Sequence, residues 1–358
     1  MEPPESYLIV RLGSLGDLIH TVPALRALRR ARPAARIGWL VEAEHAPLVE
    51  LFGGLDQIHR VDTLGWRNAP LHVATRRAAW AALRELRAAN YSTALDFQGL
   101  LKSSVWPWLA HIPRRVGFAP ADLRERGSAI WTNRRVKVPP SARHVVEKNL
   151  ELLRAVGVVD RSVLFCVEPP AQAREAWRSR RQRDGIDRYL ILNPGGGWST
   201  KRWHPERFAE LGRSLLGCYG GHLVLTGGPM DRELLDSIRS QIGAERVHAL
   251  VLEIRELWAA VAAADLFVGG DTGPLHFAVA LGTPVVGLYG PTDPARNGPL
   301  DPRDAVVWHE LWCSRCYRRR CPYHWECMES MQVDEVLAAV KARLTPIVGE
   351  RLAPSRHP

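Results

Sequence analysis

Two glycine-rich strings in this chain carry residue types suited to holding an anion. Val268-Gly269-Gly270-Asp271-Thr272-Gly273-Pro274-Leu275-His276 sets an acid, a hydroxyl and an imidazole around a turn between an apolar strand and a helix. Such a turn offers backbone N–H groups and a helix N-terminus to negative charge. Asn193-Pro194-Gly195-Gly196-Gly197-Trp198-Ser199-Thr200-Lys201-Arg202-Trp203 follows another strand and precedes a helix expected to begin near Pro205. Its glycines let amides approach an anion closely, Ser199 and Thr200 offer hydroxyl donors, and Lys201 brings a mobile positive charge. The order of a Walker A loop is absent, so nothing requires ATP hydrolysis. Alone, each string reads as a tight turn. With a third glycine turn at Thr226-Gly227-Gly228-Pro229, they predict a site for a diphosphate or a nucleotide sugar.

Near the N-terminus, Gly13-Ser14-Leu15-Gly16-Asp17-Leu18-Ile19-His20-Thr21-Val22-Pro23 allows two readings of Asp17. It is either an acid at a helix start, accepting backbone hydrogen bonds, or a general base projecting into a ligand site. A carboxylate is a weak base for a sugar hydroxyl, so proton transfer would come late, as the new C–O bond forms. His20 is the second candidate base, three residues on and on the same face if the segment is helical. Pro23 implies that the helix kinks or restarts there.

These turns need strands to hold them. Apolar runs at Tyr7–Leu12, Arg36–Val41, Thr93–Phe97, Tyr189–Asn193, His222–Thr226, Leu266–Gly269 and Val285–Tyr289 alternate with helical patterns, among them an alanine- and arginine-rich helix over Arg76–Asn90. Alternation of this kind predicts a parallel, doubly wound α/β class. At 358 residues the chain is long for one core and predicts two domains. The expected division is 1–170, a linker and charged helix at 171–188, a second domain at 189–348, and a loose tail at 349–358. Each half has its own glycine-bearing turn, which suggests two Rossmann-like domains facing across a cleft, suited to a two-substrate transfer. No internal sequence repeat is evident. The hydrophobic fraction is 46% and the formal charge +10, with a pI near 9.7. An anionic partner fits that balance: a phosphorylated small molecule, a nucleic acid or an acidic membrane surface. Neither a secretory leader nor a membrane-spanning apolar stretch is read, so the expected location is cytoplasmic.

Taken in order, Gly16-Asp17, Asp96-Phe97-Gln98-Gly99-Leu100-Leu101-Lys102-Ser103, Pro194-Gly195 through Lys201-Arg202-Trp203, and Gly270-Asp271-Thr272-Gly273 with His276 resemble the lipopolysaccharide heptosyltransferases of glycosyltransferase family nine, from about residue 7 to 345. The segment Gln98 to Ser103 and Arg124-Glu125-Arg126 are most similar to the heptosyltransferase I branch. The resemblance implies a GT-B fold, an N-terminal domain for the lipid-linked acceptor and a C-terminal domain for ADP-heptose. It implies metal-independent, inverting transfer to Kdo-lipid A, with no cofactor. Asp17 falls at the family's catalytic Asp and Lys201 at its phosphate-facing lysine; Asp271, Thr272, Gly273 and His276 fall in the donor turn, and Ser199 and Thr200 are donor candidates with them. Asp271 is expected to meet sugar hydroxyls or tie down the loop, not to touch phosphate. A heptosyltransferase II-like enzyme, or one using another nucleotide sugar, is the alternative.

An acceptor bearing carboxylates and phosphates gives basic residues of the first half a use. Gly16 and His20 beside Asp17, with Trp66-Arg67, Lys102 and Arg114-Arg115, are the acceptor candidates, and Trp106-Pro107-Trp108 could lie against acyl chains at the inner face of the inner membrane. Cys313, Cys316, Cys321 and Cys327 resemble metal-ligand spacing, but their gaps are short and only one pair is Cys-x-x-Cys. Structural zinc, ordinary thiols, and a disulfide or cluster all stay open, and no metal is assigned. Arg315 to Arg320 has no recognition helix beside it, so no nucleic acid is expected. A nicotinamide-dependent oxidoreductase is disfavoured because the first turn lacks Gly-x-Gly-x-x-Gly, with Glu42 the nearest ribose-binding acid. A non-catalytic basic binding protein would leave Asp17 and the donor turn without a use.

Overall fold

The structure is a computed structural model, and it describes residues 5–69, 72–324 and 326–352. The chain divides into two compact units, Met1–Val167 and Glu168–Pro358. The first holds strands β1 (Ser6–Val10), β2 (Arg36–Glu42), β3 (Gln57–Val61), β4 (Thr93–Asp96), β5 (Arg114–Phe118) and β6 (Arg134–Val136). They form one sheet in the order β3-β2-β1-β4-β5-β6, and every adjacent pair is parallel. The second unit holds β7 (Tyr189–Asn193), β8 (His222–Gly227), β9 (Val247–Val251), β10 (Leu266–Gly270), β11 (Val285–Tyr289) and β12 (Ala305–Trp308). Their order is β12-β11-β10-β7-β8-β9, again all parallel. Counted from each unit's own first strand, the two orders are the same doubly wound order. A repeat of fold therefore exists where no repeat of sequence was read.

The central strands are buried on both faces, as a parallel sheet covered by helices requires. β1 and β7 are buried along their whole length. In the first unit Leu8, Val10, Leu40 and Ala94 meet Leu83 and Leu86 of the helix Val73–Ala89 and Trp106 of the helix Leu101–Leu109. That long helix is amphipathic, with its arginines outside, and it ends at Asn90 in the left-handed conformation (φ 46°). In the second unit the helices Pro205–Cys218 and Val333–Leu352 cover one face of the sheet, while Ala171–Arg183, Ile254–Ala262 and Gly273–Leu281 cover the other.

Two expectations change here. Segment 171–188 carries the charged helix expected there, Ala171–Arg183, but as part of the second unit: Trp177 is buried in that core and donates its indole N–H to Tyr189 Oη at 2.8 Å. The tail expected from residue 349 remains helical to Leu352; positions 353–358 lie outside the described residues.

In such sheets the crevice lies outside the carboxyl ends, where strand order reverses. That point falls between β1 and β4 in the first unit and between β7 and β10 in the second. The Asp17 turn follows β1, the Gln98 turn follows β4, and the Lys201 and Asp271 turns follow β7 and β10.

Candidate functional site

In the second unit, glycine at two positions lets the β7 and β10 turns touch. A Cβ on Gly270 would stand 2.6 Å from the Lys201 carbonyl oxygen, and one on Gly196 would stand 3.1 Å from Thr272 Cγ2. Gly197, by contrast, faces open space.

Asp271 lies at the centre of this contact, 2% exposed. Its Oδ2 accepts from Lys201 Nζ at 2.6 Å, and Oδ1 stands 3.1 Å from His276 Nε2 and accepts from Asn297 Nδ2 at 2.5 Å. Burial alone would push this carboxyl up, but the hydrogen bonds and charges of His276 and Lys201 outweigh it and hold it well below the usual carboxylate range. Asp271 is thus a buried anion that locks two turns and a helix together, the loop-tying role expected for it. Both oxygens are engaged within the protein, and no contact with sugar hydroxyls is needed to account for it.

Lys201 is correspondingly fixed, not mobile. Nζ also donates to the Asp271 carbonyl at 3.0 Å and sits 4.6 Å from the centre of the Trp198 ring. Thr272 precedes the helix Gly273–Leu281 as its N-cap, and its buried Oγ1 has no hydrogen-bond partner among the described residues. A donor hydroxyl and a helix N-terminus thus meet beside a lysine.

Thr200 departs from the expected donor role. Thr200 is buried and donates Oγ1–H to the Arg318 carbonyl at 2.8 Å, and Ser199 Oγ donates to that of Arg319 at 3.5 Å. A hydroxyl has one proton, so Thr200 binds the turn to the loop that carries Arg318 and keeps none for a phosphate, while Ser199 is exposed and makes only a long contact. The third glycine turn is likewise closed: Gly228 N–H donates to Asp231 Oδ2 at 2.9 Å.

In the first unit, Asp17 lies in the first turn of the short helix Leu15–Ile19, and a second helix, Val22–Ala31, restarts with Pro23 in its first turn. Its carboxylate closes the turn and stays partly exposed. Oδ2 accepts from Ser14 N–H at 3.4 Å, while Oδ1 pairs with Arg11 Nη2 at 2.5 Å and the side chain stays 34% exposed. Arg11 is buried at the end of β1 and donates a second N–H to the Phe97 carbonyl, and its Nε has no partner among the described residues. It joins the Asp17 turn to the turn after β4. There Asp96, fully buried and pushed up by that burial, accepts from the Gln98 and Gly99 amides at 3.0 Å each. Gln98 Oε1 in turn accepts from Leu12 N–H at 2.7 Å.

The remaining acceptor candidates separate by position. Lys102 is exposed at this carboxyl edge, 3.5 Å from Glu42 at the end of β2. Glu42 itself accepts from Thr63 N–H at 2.9 Å, an internal use for the acid considered for ribose. Arg67 is exposed on the helix Thr63–Asn68 that follows β3. Gly16 is buried inside the Asp17 helix. His20 is 6% exposed and meets the His144 ring edge-on at 5.6 Å, so its ring is packed in the unit. Arg114 is misplaced for an acceptor role: it begins β5, at the amino end of the sheet, and its guanidinium donates to the Ala155 carbonyl. Arg115 similarly donates to the Trp131 and Ile112 carbonyls at 2.8 and 2.7 Å. Trp106 belongs to the core, whereas Trp108 is exposed and packs tilted against Trp131, ring centres 4.5 Å apart.

Four thiols, Cys313, Cys316, Cys321 and Cys327, line one cavity of about 300 Å³ together with Thr200, Gly290 and Trp312. Burial and the neighbouring sulfurs push the Cys327 thiol up to about 11. Sequence reasoning missed Arg11, Trp198 and Asn297. Only Arg11 carries a signal, as a charge directly ending an apolar strand run.

Paired doubly wound units with glycine turns at their switch points are the architecture of the GT-B fold, and solved structures share it. Escherichia coli heptosyltransferase WaaC, solved with ADP-2-deoxy-2-fluoro heptose, superposes with a TM-score of 0.76 at 24% identity, covering 94% of this chain and 99% of that one. A glycosyl transferase family 9 structure from Veillonella parvula gives 0.79 at 22% identity, covering 97% and 99%. Lipopolysaccharide heptosyltransferase 1 of Pseudomonas aeruginosa is 28% identical, over 98% of this chain and 95% of its own length. The family model for glycosyltransferase family 9 (heptosyltransferase) matches residues 79–325. The chain belongs to glycosyltransferase family 9, and it is a heptosyltransferase-type enzyme of lipopolysaccharide core synthesis.

Proposed function

We propose that the protein transfers heptose from ADP-L-glycero-D-manno-heptose to the Kdo-lipid A inner core, adding the first heptose with inversion and without a metal ion. The observation that carries the reading is the partly exposed Asp17 carboxylate oriented by Arg11 at one switch point, with the Lys201–Asp271 pair and the Thr272 hydroxyl, unpartnered among the described residues, at the other. The first unit takes the acceptor and the second the donor. Similarity to a heptosyltransferase 1 over nearly the whole chain supports the first-heptose assignment.

In this mechanism an acceptor hydroxyl attacks the anomeric carbon from the face opposite ADP. Asp17 receives its proton late, when the forming C–O bond has made it acidic. The C–O bond to ADP breaks, and the growing phosphate charge meets Lys201, Thr272 and the amides opening the helix Gly273–Leu281. A fixed lysine serves this better than a mobile one, because no reorganisation is needed as charge develops. Lys102 and Arg67 meet the acceptor's carboxylates and phosphates. The enzyme works at the cytoplasmic inner face of the inner membrane as a peripheral protein; no helix among the described residues is long and apolar enough to cross a membrane.

Asp17→Asn tests the base. Transfer is expected to fall about 10²- to 10⁴-fold, with ADP-heptose affinity unchanged by calorimetry. Unaltered turnover would remove Asp17 from the chemistry.

A further inference from the structure

We propose that the first half of the helix Val73–Ala89 is a docking surface for an anionic lipid bilayer. The helix has 17 residues, and its buried positions are Leu83, Leu86 and Ala89, all towards its C-terminal end. None of residues 73–82 is buried. A stretch of about 15 Å is thus anchored by its far end and open to solvent over most of its surface.

The outward face of that stretch mixes apolar and basic side chains. Val73, Arg77, Trp80 and Arg84 follow the spacing i, i+4, i+7, i+11, which is one stripe of a helix, on the side away from Leu83 and Leu86. Val73 is 61% exposed and Trp80 56%, and Arg76, Arg77 and Arg84 are exposed around them. Trp80 also has a fixed neighbour. The Arg87 guanidinium lies 5.4 Å from the centre of its ring and is itself held by two bonds to the Leu109 carbonyl, at 3.0 and 2.9 Å.

Charge and polarity together select the partner. From Thr63 to Arg84 the chain has four arginines and no acidic residue. Arg29, Arg30 and Arg60 of the same unit each pair with an acid, at 2.6, 2.5 and 2.8 Å, whereas Arg76, Arg77 and Arg84 pair with none among the described residues. Glu85, the next acid along, is engaged by His59 Nδ1 at 2.7 Å. A second copy of this helix would set like charge against like. A nucleic acid would match the arginines but give Val73 no apolar layer. An anionic bilayer supplies both: phosphates at the surface for the guanidinium groups and, just beneath, the boundary where tryptophan settles.

The placement agrees. The helix joins β3 to β4, parallel strands of one sheet, so it starts on the carboxyl side of that sheet, the side of the Asp17 turn and Lys102. The inference rests on the proposed acceptor only in this respect, that a bilayer held there would bring a lipid-linked acceptor to the edge where the base lies. Trp106, expected to meet acyl chains, is in the core, and Trp80 takes that part.

The test is sedimentation of the full chain with vesicles of phosphatidylcholine, alone or mixed with an equal part of phosphatidylglycerol. Binding is expected to favour the mixed vesicles and to weaken as salt rises. Each arginine at an anionic surface is worth about fivefold, so Arg76→Ser, Arg77→Ser and Arg84→Ser together should weaken binding about a hundredfold. Arg174→Ser, Arg178→Ser and Arg183→Ser, an equal loss of charge on an exposed helix of the second unit, should leave it nearly unchanged. Brominated acyl chains should quench part of the tryptophan emission of the wild type, and Trp80→Phe should lose that quenching while still binding. No binding to mixed vesicles, equal binding to both compositions, a first triple variant that binds like the wild type, or self-association that this variant abolishes would overturn the proposal. Transfer to acceptor dispersed in detergent is the separate readout and should be unchanged in the same variant. Vesicle binding through this helix without any transfer by the wild type would overturn the catalytic reading and leave the docking surface standing.

Discussion

Replacing Asp271 by Asn removes one charge at nearly constant volume, and the surroundings say what that should do. The amide oxygen can still accept from Asn297 and His276, but its NH₂ then faces Lys201 Nζ, now 2.6 Å from Oδ2. The ammonium loses its counter-charge in a place where its side chain is 16% exposed and the carboxylate 2%. Stranding one member of a buried pair costs about 3–5 kcal/mol, against a typical domain stability of about 5–15 kcal/mol. The sign with pH follows from the direction of the shift. Asp271 is held below the usual carboxylate range in the folded protein, so its contribution is present above the unfolded carboxyl's pKa, about 4, and is lost as pH falls further. The variant should therefore be less stable by about 3–5 kcal/mol at pH 7, and the gap should narrow below about pH 4. Hydrogen exchange read on peptides of β7 and β10 reports this unit alone, with denaturant unfolding as the second measure. A loss under about 1 kcal/mol at pH 7, or a gap that stays constant down to pH 3, would refute the account of a locked buried anion.

Further outcomes follow from the same geometry. Gly270→Ala drives a Cβ to 2.6 Å from the Lys201 carbonyl oxygen, while Gly197→Ala meets open space. The first should lose about 1–3 kcal/mol and donor affinity, the second neither, as read by unfolding and ADP calorimetry. Arg114→Ala, at the amino end of its sheet, should leave acceptor KM unchanged, whereas Lys102→Ala at the carboxyl edge should raise it several-fold; equal effects in a steady-state assay would contradict the placement. Thr272→Val removes the one hydroxyl at the donor turn with no partner among the described residues. It should weaken ADP binding about ten- to a hundredfold, the worth of one hydrogen bond to a charged group, with little change in melting temperature.

The central strands were legible because burial on both faces writes them as apolar runs: Tyr189–Asn193 and Val285–Tyr289 fall where the pattern put them. The strands missed are mainly outer ones with polar sequences. Arg114–Phe118 and Arg134–Val136 open on paired arginines, which read more readily as a basic surface than as a sheet, and Arg114 became an acceptor candidate for that reason. Turn chemistry was legible from glycine, as at Gly270. What each side chain touches was not. Thr200 and Ser199 have the composition of a phosphate cradle, yet the Thr200 proton goes to a loop more than a hundred residues away, and Asn297 reaches Asp271 across 26 positions. No local spacing encodes such contacts.

The most direct measurement is the reaction itself: purified protein, ADP-L-glycero-D-manno-heptose and Kdo₂-lipid A with excess chelator, followed by product mass and by the anomeric configuration of the new linkage. The account predicts a gain of one heptose with inverted configuration, undiminished by chelator and lost in Asp17→Asn. Retained configuration, dependence on added divalent metal, or no transfer to this acceptor while ADP-heptose still binds would contradict it.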